Sequence, residues 1–174
     1  MLQSMVQRSR LVLGRGVLLF SLLGAAMLPV HAAEKTGSQD VATLYMQAQA
    51  ALSKGRPEEA VSLLTKAIDK EPTRADLYLL RARARDSTGK YERALEDAGK
   101  YIELEPQDAF GYLSRSRIYS SMDKNNEALA DASKAIELEP KQPDGYFRRA
   151  DVYTEMGKKA EAKADEAKAA EVDK

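Results

Sequence analysis

Three prolines, Pro72, Pro106 and Pro140, stand 34 residues apart, and the run Ile102-Glu103-Leu104-Glu105-Pro106 returns letter for letter as Ile136-Glu137-Leu138-Glu139-Pro140. A chain that repeats itself at this interval builds one small unit several times over. Each unit has an apolar face that it can bury only against its neighbours. Other landmarks keep the period: Gly55, Gly89 and Gly157; Ala60, Ala94, Ala128 and Ala162; Tyr78, Tyr112 and Tyr146. In that register the units are 41–74, 75–108, 109–142 and 143–174.

Within unit three, Ala109 to Met122 and Asn126 to Glu139 carry helix-forming residues, and Asp123-Lys124-Asn125 between them favours a turn. Glycine takes the place of Asp123 in the other units, which fits a left-handed backbone position at the end of a helix. Each period proline then stops the second helix. Two antiparallel helices per unit are expected. Close crossing needs small side chains, which places Ala48, Ala82, Ser116 and Ala150 opposite Ala60, Ala94, Ala128 and Ala162. Larger residues fill the space between units: Leu44, Tyr78, Tyr112 and Tyr146 on first helices, Ile68, Ile102 and Ile136 on second helices.

The 34-residue period, with small residues, a tyrosine and a closing proline at fixed offsets, resembles the tetratricopeptide-repeat family. The resemblance implies an all-α fold, a right-handed superhelical solenoid of four helix-turn-helix units. It also implies a concave groove lined by the first helices, which takes an extended peptide or a partner helix. Carried over residue by residue, that surface comprises Tyr45 and Gln49, Leu79 and Arg83, Leu113 and Arg117, Phe147 and Asp151, with Met46, Leu80, Ser114 and Arg148 beside them. An apolar row runs beside a mostly basic one; Asp76, Asp144, Asp151 and Glu155 stand near enough to neutralise part of it. One subgroup of the family clamps the terminal carboxylate of chaperones with lysine, asparagine and arginine. Here those places hold Leu79, Arg83, Ser114, Asp144 and Arg148, and only Arg148 fits.

Comparison of the units with one another adds a charged feature. Arg81, Arg115 and Arg149 share the seventh place of units two to four, and Asp97, Asp131 and Asp165 share the twenty-third. Unit one has Gln47 and Leu63 instead, so the two charges come and go together. In an antiparallel pair these places lie level, which predicts an arginine–aspartate bridge in each of three units. Unit two departs from the pattern: Arg85 stands where Tyr119 and Tyr153 sit later, and Tyr101 replaces the alanine of positions 67, 135 and 169. Less regular packing is expected there. The last helix, Lys159 to Asp173, is mostly alanine, lysine and acid, as suits a face that closes a solenoid against water.

The first 32 residues read differently. Arg8, Arg10 and Arg15 without an acid, an uncharged apolar run from Val17 to Leu28, and Val30-His31-Ala32 form a secretory leader pattern with cleavage after Ala32. The alternative is an uncleaved anchor, since Leu11 to Val30 is long enough to span a membrane. No cysteine closes the apolar run, so a lipid-anchored product is excluded, and Ser9 separates Arg8 from Arg10, so no twin-arginine pair exists. Residues 33–40 form a short polar tether. Cleavage removes three basic residues and no acid, so the 27 basic residues fall to 24 against 27 acids, a net charge of −3. It also removes the single histidine, and the chain has no cysteine, so imidazole, thiolate and zinc-finger chemistry are absent from the mature protein.

No nucleophile–base arrangement, metal-ligand spacing or glycine-rich phosphate loop is present, which argues against an enzyme, a cofactor and a metal. The slight acidity and the lysines alternating with glutamates argue against nucleic acid. The expectation is an exported, periplasmic scaffold that binds a protein or peptide partner and contributes to assembly of an envelope complex. The alternative is a structural protein that stacks head to tail or dimerises through an apolar end formed by Val41, Leu44 and Tyr45. The leader gives a direct prediction. Amino-terminal sequencing of the exported protein is expected to begin at Ala33; a chain retaining Met1 to Ala32 makes it a membrane-anchored repeat protein.

Overall fold

The computed structural model describes residues 39–173. The expected leader, its cleavage point and residues 33–38 of the tether lie outside the described residues. Eight helices follow in order: α1 (Val41–Ser53), α2 (Pro57–Lys70), α3 (Ala75–Asp86), α4 (Tyr91–Leu104), α5 (Ala109–Ser121), α6 (Asn125–Leu138), α7 (Pro143–Glu155) and α8 (Lys159–Val172). The fold is all-helical, four antiparallel pairs in a row. Each pair packs on itself and on the next, α2 on α3, α4 on α5 and α6 on α7. First helices also touch across units, α1 with α3, α3 with α5 and α5 with α7, whereas no two second helices approach each other. Such an array must curve, with its inner face on the first helices.

The turn inside each unit is the same device four times. Gly55, Gly89 and Gly157 have φ of 68°, 71° and 74°, and Asp123 reaches 58° in their place. The following N–H then donates back to the end of the first helix: Arg56 to Ala51 O at 2.9 Å, Lys90 to Arg85 O at 2.9 Å, Lys124 to Tyr119 O at 2.9 Å and Lys158 to Tyr153 O at 2.8 Å. Asp123 adopts a conformation that costs a non-glycine residue about 1 kcal/mol, and the repeated hydrogen bond offsets it. Where a unit begins, Asp40 and Asp108 cap their helices, accepting from Thr43 N at 2.6 Å and Phe110 N at 2.8 Å.

The small residues do sit at the crossings: Ala48, Ala60, Ala94, Ser116 and Ala128 are fully buried. Ser116 Oγ donates to Ala128 O at 2.8 Å, so the two series face each other. The tyrosine series has a polar task as well as an apolar one. Tyr78, Tyr112 and Tyr146 each donate their hydroxyl to the carbonyl of the proline six residues back, at 2.9, 3.3 and 3.2 Å. That proline ends the preceding unit, so each tyrosine ties two units together. Leu44 takes the place in α1, before which no helix pair stands among the described residues.

All three arginine–aspartate bridges are present and bidentate. Arg81 meets Asp97 at 2.9 and 2.7 Å, Arg115 meets Asp131 at 2.7 and 2.8 Å, and Arg149 meets Asp165 at 2.7 and 2.8 Å. The carboxylates are 4%, 8% and 9% exposed, so the guanidinium fork takes the place of the water they have lost. Two forks reach further, into the preceding unit: Arg81 Nη1 donates to Thr65 Oγ1 at 3.1 Å and Arg149 Nη1 to Ser133 Oγ at 3.3 Å. Gly99 holds that place before Arg115, whose guanidinium lies 5.8 Å from the Tyr112 ring and 6.0 Å from Tyr119, as that of Arg81 lies 5.7 Å from Tyr78.

Unit two departs from the other units in its contacts, although α3 and α4 are as closely joined as the other pairs. Arg85 turns into the pair and gives Asp97 a second partner at 2.7 Å, and Tyr101 is accommodated because Gly111 faces it. A Cβ at Gly111 would stand 2.7 Å from Tyr101 Cδ1. The Tyr101 hydroxyl donates to the Asp108 carboxylate. One expectation needs correction, that of the apolar end: Val41 and Leu44 are 6% and 1% exposed, closed into the unit-one core with Leu64 and Leu77, while Tyr45 stays half-buried. The outer face of α1 shows Gln47 and Ala50 beside Met46, which is 61% exposed, whereas α8 shows Lys163, Glu166, Ala167 and Ala170, so of the two ends only the α8 side closes in polar or small residues.

The convergence of two guanidiniums on one carboxylate orders the cost of losing it. Asp97→Ala is expected to destabilise by about 3–5 kcal/mol in urea unfolding, more than Asp131→Ala, because it strands Arg81 and Arg85 together. The reverse order would mean that Arg85 turns out to water without cost.

Candidate peptide-binding groove

The expected binding residues lie on the first helices, on the inner face of the curve. Tyr45, Gln49, Leu79, Arg83 and Arg117 come together, with Asp76, Leu80, Phe110 and Ser114, around one cavity of about 220 Å³. Leu113, Phe147, Arg148 and Asp151 fall outside this cavity, further along the array on α5 and α7. A second cavity of about 350 Å³ adjoins the first, sharing Gln49, Leu80 and Arg83 and adding Leu52, Ser53 and Ser87.

Tyr45 stands at the unit-one side, half-buried, with the Arg74 guanidinium 5.4 Å from its ring centre. Burial pushes its phenol pKa up, and the charge of Asp76 adds to the rise. Arg74 also holds Asp76 at two points, 2.9 and 3.1 Å, so the carboxylate at the cavity wall is already neutralised. Leu79 and Leu80 are half-buried and Phe110 is 56% exposed, giving the cavity an apolar floor open to water. The repeat pattern does not single out Phe110. A signal exists: it holds the second place of unit three, where units two and four have Asp76 and Asp144.

The groove arginines differ sharply in how much they are already engaged. Arg83 is exposed, and its guanidinium makes no hydrogen bond or ion pair among the described residues. Arg117, 47% exposed, has one long contact with Asp86 Oδ2 at 3.4 Å, and the other Asp86 oxygen is buried without a partner. Arg148 serves the fold. Its side chain is 15% exposed, Nε donates to Ser116 Oγ at 3.0 Å, Nη2 donates to Ser120 Oγ, and the exposed Asp151 approaches at 3.7 Å. Burial lowers its pKa, with the charges of Glu155 and Asp151 opposing. Because Ser116 in turn donates to Ala128 O, Arg148 fastens α7 to α5 and, through it, α6.

Among the described residues no group of three His, Cys, Asp or Glu side chains is placed to hold a metal ion, and no helix is long and apolar enough to cross a membrane.

Tetratricopeptide-repeat family models match residues 45–109, 111–142 and 132–164, together well over half the chain. The chain belongs to the tetratricopeptide-repeat family. Solved structures agree on the fold. A crystal structure of MamA is 24% identical, with 80% of this chain and 81% of that one covered and a TM-score of 0.70. TTC0263, a thermophilic repeat protein of Thermus thermophilus, is 26% identical over 79% of this chain and 76% of its own, TM-score 0.70. The first such domain of Spaghetti (RPAP3), bound to the HSP90 peptide SRMEEVD, is 23% identical over 69% of this chain and 95% of its own, TM-score 0.62. No curated protein matches the chain significantly.

The different engagement of the arginines is measurable in stability. Arg148→Ala is expected to lower unfolding free energy by about 1–3 kcal/mol, since it leaves inter-unit hydrogen bonds unmade. Arg83→Ala should change it by less than about 0.5 kcal/mol. Equal losses in urea titrations would show that Arg83 has a structural task.

Proposed function

We propose that the protein is a non-enzymatic interaction scaffold that holds a peptide or helix of a partner protein against its first helices. The observation that carries this reading is the cavity floored by Leu79, Leu80 and Phe110, left open on the inner face beside an arginine with no partner of its own. Side chains the fold requires are buried at crossings or engaged in forks, whereas these remain available. A related fold in RPAP3 holds an HSP90 peptide, which supports a peptide as the kind of ligand. Binding is the activity; no catalytic residue, cofactor, metal or nucleic acid enters the reading.

The leader pattern of residues 1–32 supports an exported, periplasmic location, and with it a part in assembling an envelope complex. Retention of the leader would keep the same scaffold on the membrane. A second reading, self-association through the α1 end, rests on Met46, 61% exposed there, and on the half-buried Tyr45, since Val41 and Leu44 are themselves buried.

Capture from envelope extract by the full chain tests the reading. A Leu79→Ala, Phe110→Ala double variant is expected to keep its helical content and to lose most of the partner recovered by the unaltered protein. Full capture by that variant moves the binding surface to the second helices or to the ends of the array.

A further inference from the structure

Building on the groove reading, we infer that the occupant of the α1–α3–α5 trough is an internal acidic segment of a protein, carrying an apolar side chain beside an aspartate or glutamate. Three observations point to this chemistry. The first is charge. Of the groups around the 220 Å³ cavity, Asp76 is held twice by Arg74, while Arg83 has no partner and Arg117 has a single contact at 3.4 Å. The trough therefore presents an excess of positive charge, and its unmatched group is a guanidinium, which takes a carboxylate with two parallel hydrogen bonds.

The second is the apolar floor. Phe110 at 56% exposure, with Leu79 and Leu80 beside it, leaves apolar surface in water next to that guanidinium, and an apolar side chain of the ligand would cover it. The third is continuity. Arg83 lines both this cavity and the adjoining one of about 350 Å³, so the trough runs on past the cation in both directions. A ligand chain passes Arg83 and does not end there. This separates the site from a clamp for a terminal carboxylate, whose places hold Leu79, Arg83, Ser114, Asp144 and Arg148 here, the last already engaged by Ser116 and Ser120.

The contact between Arg117 and Asp86 fits the same picture. Asp86 keeps one oxygen without a partner, so its hold on Arg117 is partial, and the exposed guanidinium is free to meet a second carboxylate. A segment with acids on both sides of its apolar residue would use both arginines.

The probe is a fluorescent peptide with blocked ends, Gly-Ser-Glu-Phe-Glu-Ser-Gly, titrated with the full chain in low salt by anisotropy. It is expected to bind about tenfold more tightly than the same peptide with glutamine for glutamate. Arg83→Gln should abolish that difference, and Phe110→Ala should weaken both peptides. Equal binding of the two peptides, or a preference that survives Arg83→Gln, overturns the acidic ligand while leaving the groove in place if Phe110→Ala still weakens binding. Binding insensitive to both substitutions removes the groove as well. No binding of the acidic peptide at millimolar protein, or tighter binding of a single-stranded oligothymidylate through Arg83, also overturns the proposal.

Discussion

Three carboxylates, Asp97, Asp131 and Asp165, sit almost wholly inside the helix pairs, and the array depends on their being paired. A buried carboxylate without a partner would open its unit to water or take up a proton. The arginine at the seventh place prevents this with a two-point fork, and in units two and four the remaining N–H of that fork reaches back to Thr65 or Ser133 in the unit before. One side chain thus closes its own unit and sets the distance to the previous one. Tyrosine at the fourth place does the same with the proline carbonyl. Unit one lacks the arginine, the aspartate and the tyrosine together.

Residues bound to the period are legible in the sequence, because a contact made in every unit leaves its mark every 34 residues. Helix pairs, crossing alanines, turn positions and forks are of this kind. Contacts made once are not. Arg148 with Ser116 joins the sixth place of one unit to the eighth of another, and neither residue recurs at its place, so the bond is invisible to comparison of the units. Arg85 reads in the sequence as a departure that should make unit two less regular, but pattern alone does not show that it shares Asp97. Phe110 breaks the pattern where aspartates stand, yet only the fold shows that this place faces the trough.

That distinction also sorts the arginines, which composition treats alike. Those at the seventh place are held by buried carboxylates, Arg85 joins one of them, and Arg148 is enclosed by serine hydroxyls. Removing any of these alters folding before it alters binding. Arg83 is different in kind, because a solvated cation with no partner contributes little to stability and is therefore free to be selected for what it recognises.

Gly99 lies at the junction that the trough crosses. Threonine and serine at that place give Arg81 and Arg149 a third hydrogen bond, but Arg115 finds glycine and makes only its two bonds to Asp131. Nothing stands within 4 Å of a Cβ built there, so close packing is not the reason for the glycine. Within a helix it lowers stability by roughly 1 kcal/mol relative to alanine. On the inner face the same junction is bridged only by the long Arg117–Asp86 contact. The α4–α5 boundary is thus joined by the Tyr112–Pro106 bond, the Tyr101–Asp108 bond and the Arg117–Asp86 contact, and it lacks the reach of the fork into the preceding unit that the other two boundaries have.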